Sequence, residues 1–149
     1  MVTILRKAID ISNVNSFELI VSRGRCIFNP DQKRIQATVR KTNPLMKRLH
    51  HVLQKYGFMS ERKLGQCVVL LSKPGCKQQN WHTDYDPEEI KQLTHKPLGV
   101  ILALQNDTYF EEYPNIRHVL NRGDVLVFEG DVIHAGAAYN SRNIRVHAY

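Results

Sequence analysis

The chain has no apolar run of membrane-spanning length, no internal repeat, no low-complexity tract, and only three cysteines in 149 residues. Each lack excludes a class of protein. A transmembrane helix needs about 20 consecutive apolar residues, so none is expected. The first residues, Met1-Val2-Thr3-Ile4-Leu5-Arg6-Lys7, lack the apolar stretch of a signal peptide. Cys26, Cys67 and Cys76 are odd in number and show no CxxC spacing. They argue against a disulfide scaffold and for a reducing, intracellular setting, cytoplasmic or nuclear. Cys67 lies in an apolar run and reads as a small buried hydrophobe. No RNP-like motif, zinc finger or helix-turn-helix pattern marks a dedicated nucleic-acid reader.

What is present is the composition of a soluble globular protein, 42% hydrophobic and 23% charged. The length suits a single domain spanning 1–149 with one core. The net charge of +7 is uneven. Residues 1–63 carry 13 Lys/Arg against 4 Asp/Glu, and residues 64–149 carry 8 against 10. A basic N-terminal half is compatible with a macromolecular partner, protein or nucleic acid; scattered doublets of this kind are also what a solvated face looks like.

Short strands are expected at Phe17–Val21, Cys26–Phe28 and Ile35–Val39, with a hairpin turn at Ser22-Arg23-Gly24-Arg25. A helix follows: Thr42-Asn43 can cap it, Pro44 suits its first turn, and Gly57 can close it. Leu45, Leu49, Val52, Leu53 and Tyr56 recur at helical spacing, the apolar face of a helix lying on a sheet. Asp86-Pro87-Glu88-Glu89 signals a second, short helix. Further strands are expected at Gln66–Ser72, Leu98–Leu104, Ile116–Leu120, Val125–Glu129 and Ile144–Tyr149. Many short strands with one or two helices predict a mainly β protein, a jelly roll or double-sheet barrel, with any ligand held in the barrel mouth.

Within that frame His82-Thr83-Asp84, His134 and Arg145 form a constellation. On an extended segment His82 and Asp84 point to the same side, and His134 can join them from a distant strand after Gly130-Asp131. Two imidazoles and a carboxylate leave coordination positions open and suit Fe(II), Mn(II), Co(II) or Zn(II). Two arginines, Arg142 and Arg145, compete for an anion-binding role. On the last strand Arg145, His147 and Tyr149 share one face and Ile144, Val146 and Ala148 the other. Arg142 falls in a turn-like Asn140-Ser141 context, so Arg145 is favoured, its planar fork matching a carboxylate. His50, His51, His95 and His118 receive no role. His147, Trp81, Tyr85 and Tyr139 read equally as site wall or as packing.

Three segments carry a family resemblance: Gln79-Asn80-Trp81-His82-Thr83-Asp84-Tyr85, the run from Gly123 to Gly136 bearing His134, and Asn140-Ser141-Arg142-Asn143-Ile144-Arg145. From Gln66 to Tyr149 the chain resembles the core of the Fe(II)/2-oxoglutarate-dependent dioxygenases, nearest their phytanoyl-CoA-type branch. Pro74-Gly75 is similar to a turn of prolyl-hydroxylase-like members, with Ser72 and Lys73 where those often carry a tyrosine. The resemblance implies a double-stranded β-helix and Fe(II) held by His82, Asp84 and His134. It also implies 2-oxoglutarate chelated to the iron and paired with Arg145, O2 as oxidant, and a hydroxylase or demethylase that yields succinate and CO2. A cupin-like metalloenzyme without 2-oxoglutarate, and a basic nucleic-acid- or anion-binding module on the same barrel, are the alternatives.

Overall fold

The computed structural model describes residues 1–12 and 26–149. The strand expected at Phe17–Val21 and the turn at Ser22–Arg25 lie outside the described residues. Among the described residues the order is β1 (Val2–Leu5), β2 (Cys26–Asn29), β3 (Arg34–Val39), α1 (Pro44–Lys55), β4 (Cys67–Ser72), α2 (Pro87–Ile90), β5 (Leu98–Ala103), β6 (Thr108–Glu112), β7 (Ile116–Leu120), β8 (Val125–Glu129), β9 (His134–Gly136) and β10 (Asn143–Ala148). The strands expected in these regions are present within a residue or two at their ends. β1 and β6 were not expected: Val2–Leu5 reads as an unremarkable terminus, and β6 ends in two glutamates that mask its alternation.

Seven strands form one sheet in the order β1-β8-β5-β10-β4-β3-β2, and three form a second in the order β7-β6-β9. Every pairing is antiparallel. This is a double-stranded β-helix, the fold that the family resemblance implies and one in keeping with the double-sheet barrel expected from the strand pattern. β10 lies at the centre, with Arg145 opposite Leu70 of β4 and Ala103 of β5. Its two faces do different work. Ile144, Val146 and Ala148 join the apolar core beneath α1, while Arg145 and His147 point between the two sheets.

α1 begins where expected: the Asn43 side chain accepts from the Leu45 N–H at 2.9 Å, and Pro44 fills the first turn. It ends against Gly57, whose φ of +80° is a left-handed conformation suited to glycine. Leu45, Met46, Leu49 and Leu53 are buried against β3, β4 and β10. Tyr56 departs from expectation. It occupies the C-cap, where the chain leaves the helix, and its ring is 54% exposed instead of joining the apolar face. Met46 takes part in its stead. The expected buried state of Cys67 holds, and burial pushes its thiol above the usual range.

Leu49 is fully buried between α1 and the sheet. Leu49→Ala is expected to lower unfolding stability by about 2–5 kcal/mol, read from the midpoint of a urea or guanidinium titration.

Candidate metal and anion site

Two backbone hydrogen bonds organise the site. His82 N donates to His134 O and His134 N donates to His82 O, each at 2.9 Å, so the residues face each other across an isolated antiparallel bridge. Their rings lie 4.6 Å apart, centroid to centroid. Asp84, two residues beyond His82, turns its carboxylate to the same side. Its Oδ1 is 3.5 Å from His134 Nε2 and 3.9 Å from His82 Nε2. One ligand atom from each of His82, Asp84 and His134 falls within 4.8 Å of the others, close enough to share an ion. The three residues singled out by the sequence pattern are thus brought together.

The imidazole tautomers follow from contacts that no sequence pattern names. His82 Nδ1 is 2.8 Å from the Asn80 carbonyl, and His134 Nδ1 is 3.0 Å from the Val132 carbonyl. A carbonyl only accepts, so each Nδ1 carries a hydrogen, and each ring is held with Nε2 turned toward the shared space. Both partners are the residue two positions before the histidine, which makes the device local. The donor set is two imidazole nitrogens and one carboxylate oxygen within reach of one another, a fit for a divalent ion with positions left open.

Burial alone pushes the Asp84 carboxyl upward. Contact with His134 and His147 outweighs it and holds the group well below the ordinary carboxylate range, so the group is ionised at neutral pH. His147 Nε2 stands 3.1 Å from Asp84 Oδ2. Among the described residues neither atom makes a hydrogen bond of good geometry, so this close approach is their main polar contact. Burial lowers the His147 pKa from its ordinary value despite the opposing pull of Asp84, so the ring is neutral. The structure thus makes His147 a site wall, stacked on Tyr149 at 4.3 Å. His118 pairs with Glu112, and His50, His51 and His95 are exposed.

Arg145 is 4% exposed and lines a cavity of about 110 Å³ together with His82, Asp84, His134, His147 and Gln36. Arg142 is exposed, so the register chosen from the strand alternation holds. Arg145 Nη1 donates to Ser72 Oγ at 3.0 Å and to Asn143 Oδ1 at 3.4 Å. The Tyr139 ring lies 5.4 Å from its guanidinium carbon. Among the described residues Arg145 has no carboxylate in ion-pair reach. Tyr139 is packing: its hydroxyl is tied to the Tyr109 backbone and its ring stacks on that of Tyr109. Trp81 packs edge-on against the exposed Tyr113 ring at 5.7 Å, on the rim beside His82. Asn143, Gln36 and Arg34 went unsuspected in the sequence, and Ser72 was noted only as standing where a tyrosine is common. The alternation of β3 and β4 holds the signal, because Arg34 and Ser72 are polar residues on inward-facing positions. A larger apolar cavity of about 190 Å³, between Leu53, Phe58 and Tyr149, offers no histidine or carboxylate and is a poor seat for metal chemistry.

No family model and no curated protein matches this sequence. Among solved structures, the chain is similar to the non-heme α-ketoglutarate-dependent carbocyclase SnoK from nogalamycin biosynthesis, with a TM-score of 0.72 and 12% identity, over 99% of this chain and 78% of that one. It is similar to HygX from Streptomyces hygroscopicus with nickel and 2-oxoglutarate bound, at 0.70 and 12%, over 99% and 81%. It also matches a Pseudomonas putida prolyl-4-hydroxylase at 0.63 and 11%, over 99% and 90%. The chain therefore has the fold that these oxygenases share.

One residue links that fold to the site. Gly99 sits opposite Phe128, whose ring occupies the space a Cβ at 99 would fill. The ring packs 4.8 Å from that of His134. Gly99→Ala is expected to press Phe128 toward the histidine and weaken divalent-metal binding about tenfold to a hundredfold. A calorimetric titration with Mn(II), a stand-in for Fe(II) that resists oxidation, reads the effect.

Proposed function

We propose that the chain is an Fe(II)- and 2-oxoglutarate-dependent dioxygenase, a hydroxylase or demethylase with His82, Asp84 and His134 as metal ligands and Arg145 as the co-substrate anchor. One observation carries this reading: a three-donor cluster and a buried arginine without a carboxylate partner open into the same cavity. A cupin-like metalloenzyme with no oxo-acid co-substrate would have no use for a desolvated cation there. The motif frames around His82 and His134 further support a place nearest the phytanoyl-CoA-type branch. The fold neighbours include enzymes whose names state 2-oxoglutarate dependence, which is the chemistry proposed for this chain.

Bound iron, with 2-oxoglutarate and O2, would supply oxidative decarboxylation of the oxo acid and oxidation of a substrate C–H bond. The protein's own groups orient the reactants. Asn80 O and Val132 O hold both imidazoles with Nε2 forward, and ionised Asp84 contributes the negative charge. Arg145, steadied by Ser72 and Asn143, fixes the far end of the dicarboxylate. Phe110, Phe128 and Ile101 exclude water from the back of the cavity. The outer side differs: His82 is 40% exposed, beside Trp81 and Tyr113. An accessible ligand with an aromatic rim favours a group presented by a macromolecule, a protein or nucleic acid, ahead of a small free metabolite. Among the described residues, three arginines of the basic N-terminal half are already committed elsewhere. Arg34 is buried within the barrel, and Arg48 and Arg62 donate to backbone carbonyls.

Turnover is tested by succinate release from 2-oxoglutarate with Fe(II) and ascorbate; its absence under all conditions would sink the reading. Anaerobic Fe(II) plus 2-oxoglutarate is expected to give a weak visible charge-transfer band that Asp84→Ala abolishes. Arg145→Ala is expected to weaken 2-oxoglutarate binding by about 2–5 kcal/mol, as loss of a buried charge partner does. Arg142→Ala should leave it unchanged.

A further inference from the structure

Arg34 of β3 is nearly as deeply buried as Arg145, at 6% exposure against 4%. Register places Arg34 directly opposite Ser72, and Ser72 directly opposite Asn143. Ser72 Oγ is also the atom that accepts from Arg145 Nη1. Arg34 therefore neighbours Ser72 in register and Arg145 bonds to it, and the two charges are close enough to influence each other. Arg34 Nη2 donates to Ala137 O at 2.7 Å and to Gly136 O at 3.2 Å, which anchors one edge of its fork. Its Nε and Nη1 are shielded from solvent and have no hydrogen-bond partner among the described residues.

Two buried cations close together are costly twice over, through lost hydration and mutual repulsion. Burial is the main influence lowering the Arg34 pKa, and the charge of Arg145 adds to it. The sole carboxylate lining the adjoining cavity is Asp84, already committed to the histidines. Gly136, whose carbonyl Arg34 holds, lines that cavity, and an anion bound on that side would offset both costs and satisfy the open Arg34 nitrogens. A carboxylate fits best, because its two oxygens match the planar fork of a guanidinium. Arg145 precedes His147 by two residues on β10, about 7 Å along the strand. That is the scale of a short dicarboxylate with one end at the histidine cluster.

We infer that Arg34 and Arg145 form a two-arginine clamp on one carboxylate, with Arg34 a further binding residue for the distal end of the oxo-acid co-substrate. The inference rests on the oxygenase reading above and adds a residue to it. The competing role for Arg34 is that of a strut, tying β3 to β9 through the two carbonyls and touching no ligand.

Anaerobic calorimetry on the Fe(II)-loaded protein separates these roles, using 2-oxoglutarate and 2-oxovalerate, which has the same carbon chain but no distal carboxylate. Wild type should prefer 2-oxoglutarate. Arg34→Gln is expected to weaken 2-oxoglutarate binding about tenfold or more while leaving 2-oxovalerate within about twofold. Arg34→Gln combined with Arg145→Gln should lose less than the product of the two single effects, because both act on one carboxylate. An equal loss for both oxo acids would reduce Arg34 to a strut, and an undiminished preference would remove it from the site. Should Arg34→Gln fold poorly, Arg34→Lys gives the same comparison. A point charge replaces the fork there, so the preference should fall several-fold, and full retention overturns the clamp. A wild-type protein with no preference between the two acids would sink the oxygenase reading itself, and the clamp with it.

Discussion

The reciprocal pair of hydrogen bonds between the backbones of His82 and His134 is the constraint on which the site depends. Side chains of long reach are poor at holding metal geometry, because each rotatable bond must be frozen. Here the freezing is done by the main chain. Once the two residues are locked face to face, period-2 geometry delivers Asp84 to the same side, and carbonyls two residues upstream set both rings. Little is left for the ligands themselves to arrange. The loop from Asn80 to Asp84 need not be long or elaborate, and a small barrel can carry the whole cluster.

β10 extends that economy. As the central strand it hydrogen-bonds to β4 and β5, and each successive residue changes allegiance. Ile144, Val146 and Ala148 fill the core under α1, and Asn143, Arg145 and His147 furnish the polar interior. The cost of burying a guanidinium is spread over Ser72, Asn143 and the Tyr139 ring face, none of which is charged. Neutral partners hold Arg145 in place without cancelling its charge, which keeps it available for an anion.

Much of this was legible in the residues alone. Period-2 alternation in Ile144–Tyr149 ranked Arg145 above Arg142, and the cap, proline and glycine of α1 marked its limits to within a residue. The histidines and Asp84 were visible because metal ligation demands particular side chains at particular spacings. What escaped was whatever depends on register between distant strands. Strand alternation marks Arg34 and Ser72 as inward-facing, but they lie 38 positions apart in the chain, so no local pattern says that they pair directly. The carbonyls of Asn80 and Val132 escaped for a different reason, since every residue has one. β6 was hidden by Glu111 and Glu112, whose carboxylates are answered by Arg117 and His118 on the neighbouring strand. Tyr56 was misplaced because helical spacing continues to the cap, while the backbone that would point it inward does not.

The two imidazoles of the cluster are not equivalent: His134 is sealed beneath aromatic rings at 5% exposure, and His82 stands at the surface at 40%. Any ion held here has one secure anchor and one that water can reach. Exchange, capture by a chelator and attack by acid would all begin at the outer ring, so His82, and not the better-protected partner, would govern how long such an ion stays.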